Sequence, residues 1–151
     1  MARFVYRMQS VLNIKQKTEG QIKMEFAAAQ AELNKQIDVL ENYITRKENY
    51  LKEAEELRNE EKLPLQDILD NQYATAQMDV MIASQLKVVR QHEEIVEKAR
   101  VKLTKAIQER KMQETLRERA YAEWIEEEKQ EEAKENDQRT SFTYTQKQKE
   151  T

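Results

Sequence analysis

The 151-residue chain sets 26 Lys and Arg against 29 Asp and Glu, a net charge of −3, with 36% of residues charged and 38% hydrophobic. One glycine, one proline and no cysteine leave a β-sheet without the turn residues its reversals need and remove disulfides and thiol chemistry. The mild acidity argues against nucleic acid as the main partner, and no stretch approaches the ~18 consecutive apolar residues of a membrane span.

The chain opens with a basic stretch: Arg3, Arg7, Lys15 and Lys17 against Glu19 alone among the first 21 residues. Its apolar run is too short and broken for a secretory signal, so a soluble cytoplasmic protein is expected. Met8, Val11, Leu12 and Lys15 begin a helical stripe that continues through Ile22, Phe26, Ala29, Leu33, Ile37, Leu40, Ile44 and Leu51. Val11, Ile22, Leu33 and Ile44 are spaced by eleven, a period that predicts a nearly straight or mildly right-handed arm. Gly20 interrupts good helix formers at a cost of about 1 kcal/mol relative to alanine, which a long packed helix absorbs.

The stripe fades at Leu57, residues 58–62 are polar, and Leu63-Pro64 follows. Proline disfavours helix at the residue before it and suits the first turn of a new one, so the chain reverses between about residues 59 and 67. From Ile68 to about Glu128 neither proline nor glycine occurs, and Ile82, Val89, Val96 and Leu103 recur every seven residues, with Leu86, Ala99, Ala106 and Ile107 on alternate turns. At 1.5 Å per residue such a helix is about 90 Å long and needs a second long helix beside it. The expectation is an all-α, long antiparallel two-helix coiled-coil hairpin. Its first arm covers about 5–60, the turn about 59–67, the second arm about 66–130, and a polar tail follows over 131–151.

With the reversal near residue 63, facing residues have numbers that sum to about 128. That register sets the acidic run Glu126, Glu127, Glu128, Glu131 and Glu132 beside Arg3 and Arg7. Beyond about Gln130 the stripe is gone and the chain is expected to fray, with Phe142 and Tyr144 as its only anchors. Arg110 and Arg117 continue the Ile82–Leu103 row, so the seam turns polar toward the termini, as suits an end that meets something else.

No enzyme chemistry is visible. His92 sits at the edge of the stripe with no second histidine, the one glycine forms no phosphate loop, and Ser10, Ser84 and Ser141 have no base at helical spacing. Catalytic, cofactor and metal sites are all expected to be absent. The basic residues from Lys98 to Arg119 spread around the helix and alternate with glutamates, the pattern of a solvated face.

Two surfaces remain as interaction candidates. One gathers apolar and cationic groups near the termini: Phe4, Tyr6, Arg7 and Met8, opposite Leu116, Ala120 and Trp124, with Arg110 and Arg117. The other lies toward the turn. With Ile44 and Leu51 as a core row, Tyr43, Tyr50 and Leu57 flank it, and Ala74, Met78, Met81 and Val88 on the second arm fall on the same side. That row is either extra seam width or a docking patch, since Tyr and Met are favoured at interfaces.

Residues 4–12 (FVYRMQSVL), the helix through Phe26 and residues 30–33 (QAEL), and residues 109–119 (ERKMQETLRER) together resemble the FliJ family of flagellar export proteins. The resemblance covers nearly the whole chain, and the aromatic-basic start is its most diagnostic part. It implies an antiparallel coiled coil of the type III export apparatus, similar to the central stalk of rotary ATP synthases. Such a protein sits in the cytoplasm, peripheral to the inner-membrane flagellar base. The implied partners are the hexameric flagellar export ATPase, the cytoplasmic domain of the export gate membrane protein, and substrate-specific export chaperones. By this resemblance the terminal residues enter and stimulate the ATPase ring and the turn-side flank engages the gate. An unrelated coiled-coil chaperone or adaptor, and a structural coiled-coil protein, share the same stripes and stay open as readings of the residues themselves.

Overall fold

The computed structural model describes residues 2–150 and contains two helices, α1 (Gln9–Arg58, 50 residues) and α2 (Leu65–Glu150, 86 residues). The fold is an all-α helical hairpin. The break between the helices, residues 59–64, is exposed apart from Pro64, whose carbonyl accepts the Ile68 N–H at 3.0 Å and so opens α2. Proline before the first helical residue forfeits no helix bond, because the N–H it lacks has no partner there. Asp67 in the first turn of α2 and Arg58 in the last turn of α1 carry the charges that suit those helix ends.

The chain divides into two compact units. The turn unit, Gly20–Thr104, pairs the two helices antiparallel. Asn71 Nδ2 donates to the Tyr50 carbonyl at 2.8 Å and Gln85 Nε2 to the Gln36 carbonyl at 2.8 Å, so residues whose numbers sum to 121 face each other there. Lys47 and Asp79 form an ion pair across the seam at 2.6 Å. Ile22, Leu33, Met78 and Val89 are the buried apolar side chains of this unit.

The seam of α1 differs from the eleven-residue expectation. With Gln30, Glu32, Ile37 and Val39 half-buried beside it, a continuous row of covered positions runs through Ile22, Phe26, Ala29, Leu33, Gln36, Leu40, Tyr43, Lys47, Tyr50, Ala54 and Leu57, spaced alternately by four and three. That is a seven-residue repeat, matching the repeat of α2, where Ile82, Val89, Val96 and Leu103 are all covered. Ile44 and Leu51, expected as core, are 41% and 50% exposed, while Tyr43, Tyr50 and Leu57 take the covered places beside them. One residue along a helix is a rotation of 100°, so only one of each neighbouring pair can face α2. Tyrosine rings and the Lys47 stem are amphipathic enough to fill a narrow seam while their polar tips reach water.

The terminal unit combines the chain up to Glu19 with the chain from Lys105 onward, and Tyr6, Leu12 and Ala106 are its buried apolar side chains. Residues 2–8 are not helical, so the chain reaches α2 as a strap and not as a continuation of α1. Among the described residues neither Arg3 nor Arg7 forms an ion pair, contrary to the charge match expected with the acidic run, because leaving the helix at Gln9 takes both out of register.

The tail corrects another expectation. It is helical: α2 continues to Glu150, although every described position from 129 on is exposed, Phe142 and Tyr144 included. Extending an existing helix fixes one residue per new hydrogen bond, and this stretch holds no glycine or proline to stop it.

Candidate functional site

The terminal unit gathers aromatic and charged side chains on one stripe of α2. Gln113, Arg117, Tyr121 and Trp124 follow one another at helical spacing, and the strap lies over them. Its residues alternate as an extended chain does: Phe4 is half-buried, Val5 is 78% exposed and Tyr6 is buried. The Phe4 ring meets Tyr121 edge-on with centroids 5.1 Å apart and Trp124 at 5.7 Å, while Tyr121 and Trp124 stack at 6.0 Å. The Arg117 guanidinium lies 5.7 Å from the Phe4 centroid and its Nε donates to Gln9 Oε1 at 3.0 Å. Tyr6 donates its hydroxyl to Gln113 Oε1 at 3.1 Å.

Next to this cluster the seam is ionic. Arg110 pairs with Glu19 across the helices and with Glu114 one turn on at 2.8 Å, and Lys15 pairs with Glu109 at 3.1 Å. The carboxylates of Glu114 and then Glu19 raise the Arg110 guanidinium pKa above its ordinary value. Arg110 thus holds the row position its spacing predicts, with its charge answered on both sides.

Of the terminal residues expected to act together, the structure gathers Phe4, Tyr6, Arg117 and Trp124 in one cluster, with Arg110 in the ionic seam. Arg7, Met8 and Leu116 lie outside it and are exposed. Tyr121 and Gln113 belong to the cluster without having been singled out. Their signal was the i, i+4, i+8, i+11 spacing from Gln113 to Trp124, one face of a helix.

In the turn unit, Met78 is 4% exposed and is core. Tyr43, Tyr50, Leu57, Ala74, Met81 and Val88 are half-buried in the seam or along its edge. The free apolar surface lies elsewhere. Leu65, Leu69, Tyr73 and Val80 are 69%, 59%, 68% and 62% exposed. At 100° per residue Leu69, Tyr73 and Val80 fall within about 40° of one another and about 180° from Asn71, Met78 and Gln85, which face α1. This outer stripe carries no periodic mark of its own in the sequence, since it lies on the face of α2 opposite the seam. A groove of about 250 Å³ lies on the same unit near the turn, lined by Leu51, Ala54, Leu57 and Ile68 among others, with Arg58 and Asp79 at its polar edges.

Among the described residues no group of three or more His, Asp or Glu side chains is placed to hold a metal ion. No helix there is long and apolar enough to cross a membrane. The family model of the flagellar FliJ protein matches residues 4–149. No curated protein and no solved structure shows significant similarity to the chain.

Proposed function

The chain belongs to the flagellar FliJ family, a non-catalytic component of flagellar protein export, and from that premise we propose that it is a coupling factor between an ATPase ring and a membrane gate. The terminal unit enters and stimulates the hexameric export ATPase, and the turn unit engages the cytoplasmic domain of the export gate and receives substrate-specific chaperones. It works on the cytoplasmic side, peripheral to the inner-membrane flagellar base.

The observation that carries the ATPase contact is the composition of the terminal unit. The cluster of Phe4, Tyr6, Tyr121 and Trp124 ties the strap to α2, and around it Arg7, Met8, Leu116, Val5 and part of Tyr121 stay exposed. A surface with mixed cationic and apolar contacts suits the lining of a protein bore, where Arg, Met and aromatic residues are favoured. Gate contact is best supported by the outer stripe of Leu69, Tyr73 and Val80. It leaves the seam untouched when it is covered, and Met81 and Val88 stand between stripe and seam.

The test is phosphate release by the export ATPase. The native chain should raise the rate, and Arg7→Glu/Met8→Ser should remove most of that increase with helix content unchanged, since both side chains are exposed. Full stimulation by this variant would remove the terminal unit from the contact.

A further inference from the structure

Local preferences leave the register of the turn unit undecided. Pro64 as the first residue before α2 is favourable, and so is Pro64 at the centre of a reversal. The second arrangement would carry residues 59–62, which are good helix formers or neutral, into α1. Facing residues would then sum to 128 instead of 121, a displacement of one heptad. The seam itself repeats every seven residues on both helices, so its apolar side chains would interlock again after such a slide. Something else selects the register observed.

The seam of this unit buries two polar side chains among the described residues, Asn71 and Gln85, and they act differently. Asn71 donates only to a main-chain carbonyl, that of Tyr50. Carbonyls recur at every residue, so after a one-heptad slide Asn71 faces Leu57 and finds an equivalent acceptor. Gln85 donates to the Gln36 carbonyl and, at 2.9 Å, to the Gln36 side-chain Oε1. The Gln36 amide is in turn aimed by Glu32, whose Oε1 accepts its Nε2 at 3.2 Å. Gln36 is the one amide in the row Ile22, Ala29, Gln36, Tyr43, Tyr50, Leu57. A slide would set Gln85 against the Tyr43 ring and Gln36 against His92, and it would break the Lys47–Asp79 pair.

We propose that the Gln36–Gln85 layer is the register-determining contact of the turn unit: it selects the observed alignment there over one displaced by a heptad, while Asn71 fixes only which face of α2 turns inward. A buried amide without its partner is costly, whereas an apolar pair of similar shape in its place is tolerated in any heptad register. The alignment also decides which residues of α1 stand level with the outer stripe of α2.

The chain has no native cysteine, so introduced pairs report alignment without ambiguity. Ala29 and His92 lie one heptad from Gln36 and Gln85 and face each other in the observed register, and Ala29 faces Ala99 in the displaced one. In a glutathione redox buffer the full chain carrying Ala29→Cys/His92→Cys should oxidise, and Ala29→Cys/Ala99→Cys should stay largely reduced. Adding Gln36→Leu/Gln85→Leu should raise the Ala29→Cys/Ala99→Cys disulfide about tenfold, the factor a lost hydrogen bond is worth, with the melting temperature equal or higher. Adding Gln36→Leu/Tyr43→Gln instead moves the matching amide by one heptad and should make the displaced disulfide the major one. If that disulfide stays at its native level in both backgrounds, the layer does not set the register. If it already equals the Ala29→Cys/His92→Cys disulfide in the native background, no selection exists.

Discussion

Replacing Met78 by alanine should destabilise the protein far more than replacing Leu69, Tyr73 and Val80 together, although all four lie within twelve residues of one helix. Met78 is 4% exposed, so nearly the whole transfer free energy of a methionine is at stake, about 1.5–3 kcal/mol, plus a cavity contribution. A two-helix seam is open at its sides and collapses partly around a deletion, which places the total near 2–3 kcal/mol. At about 2–4 °C per kcal/mol for a chain of this size, the melting temperature should fall by about 5–10 °C. Leu69, Tyr73 and Val80 are 59–68% exposed, so each loses only about a third of its transfer term, and alanine is a better helix former than tyrosine or valine. Those changes should lie within ~0.5 kcal/mol each. Thermal melts followed by circular dichroism measure both variants. The triple variant should melt close to the native chain yet lose capture by the gate's cytoplasmic domain. A triple variant that melts as low as Met78→Ala would show that the outer stripe is core and that its assignment as a docking face is wrong.

Gly20→Ala should raise stability by about 1 kcal/mol, because beyond the adjoining helix backbone no atom lies within 4 Å of the added methyl group and alanine is the better helix former; chemical denaturation reads the gain. Phe4→Ala removes a ring 5.7 Å from Trp124, the chain's single tryptophan, and should shift its emission without changing helix content. Tyr6→Phe leaves Gln113 Oε1 without its donor and should cost about 1 kcal/mol. Glu97 is held below the usual carboxylate range by its hydrogen bond to Arg100. A carboxylate depressed in the folded state stabilises above its unfolded pKa and loses that contribution as pH falls through the folded one. Helix stability should therefore decline with acidification in the native chain and less so in Glu97→Gln, a difference that salt diminishes.

The scarcity of glycine and proline, the polar stretch ending at Pro64 and the seven-residue row from Ile82 to Leu103 make the hairpin legible in the sequence. The first arm was harder. Ile44 and Leu51 attract a core assignment by chemistry, and only packing against α2 reveals that Tyr43 and Tyr50 hold the covered positions. In the turn unit facing residues sum to 121 and not to about 128 for a related reason: proline indicates where a reversal fits, while contacts such as Gln36–Gln85 join residues 49 apart, beyond any local rule. Arg110 and Arg117 were legible as polar interruptions of the row, but Glu19, Gln9 and Phe4, which meet them, come from the opposite helix and the strap, and only Glu114 lies at local spacing. The outer stripe of Leu69, Tyr73 and Val80 has no mark in composition. It becomes visible once Asn71, Met78 and Gln85 are seen to face inward.

The proposed action on the export ATPase is tested most directly by phosphate release from that ATPase titrated with the native chain. The rate should rise to a plateau as the chain is added, with no release from the chain alone. A rate that stays constant at every ratio, with the ATPase active and the chain folded, would contradict the account.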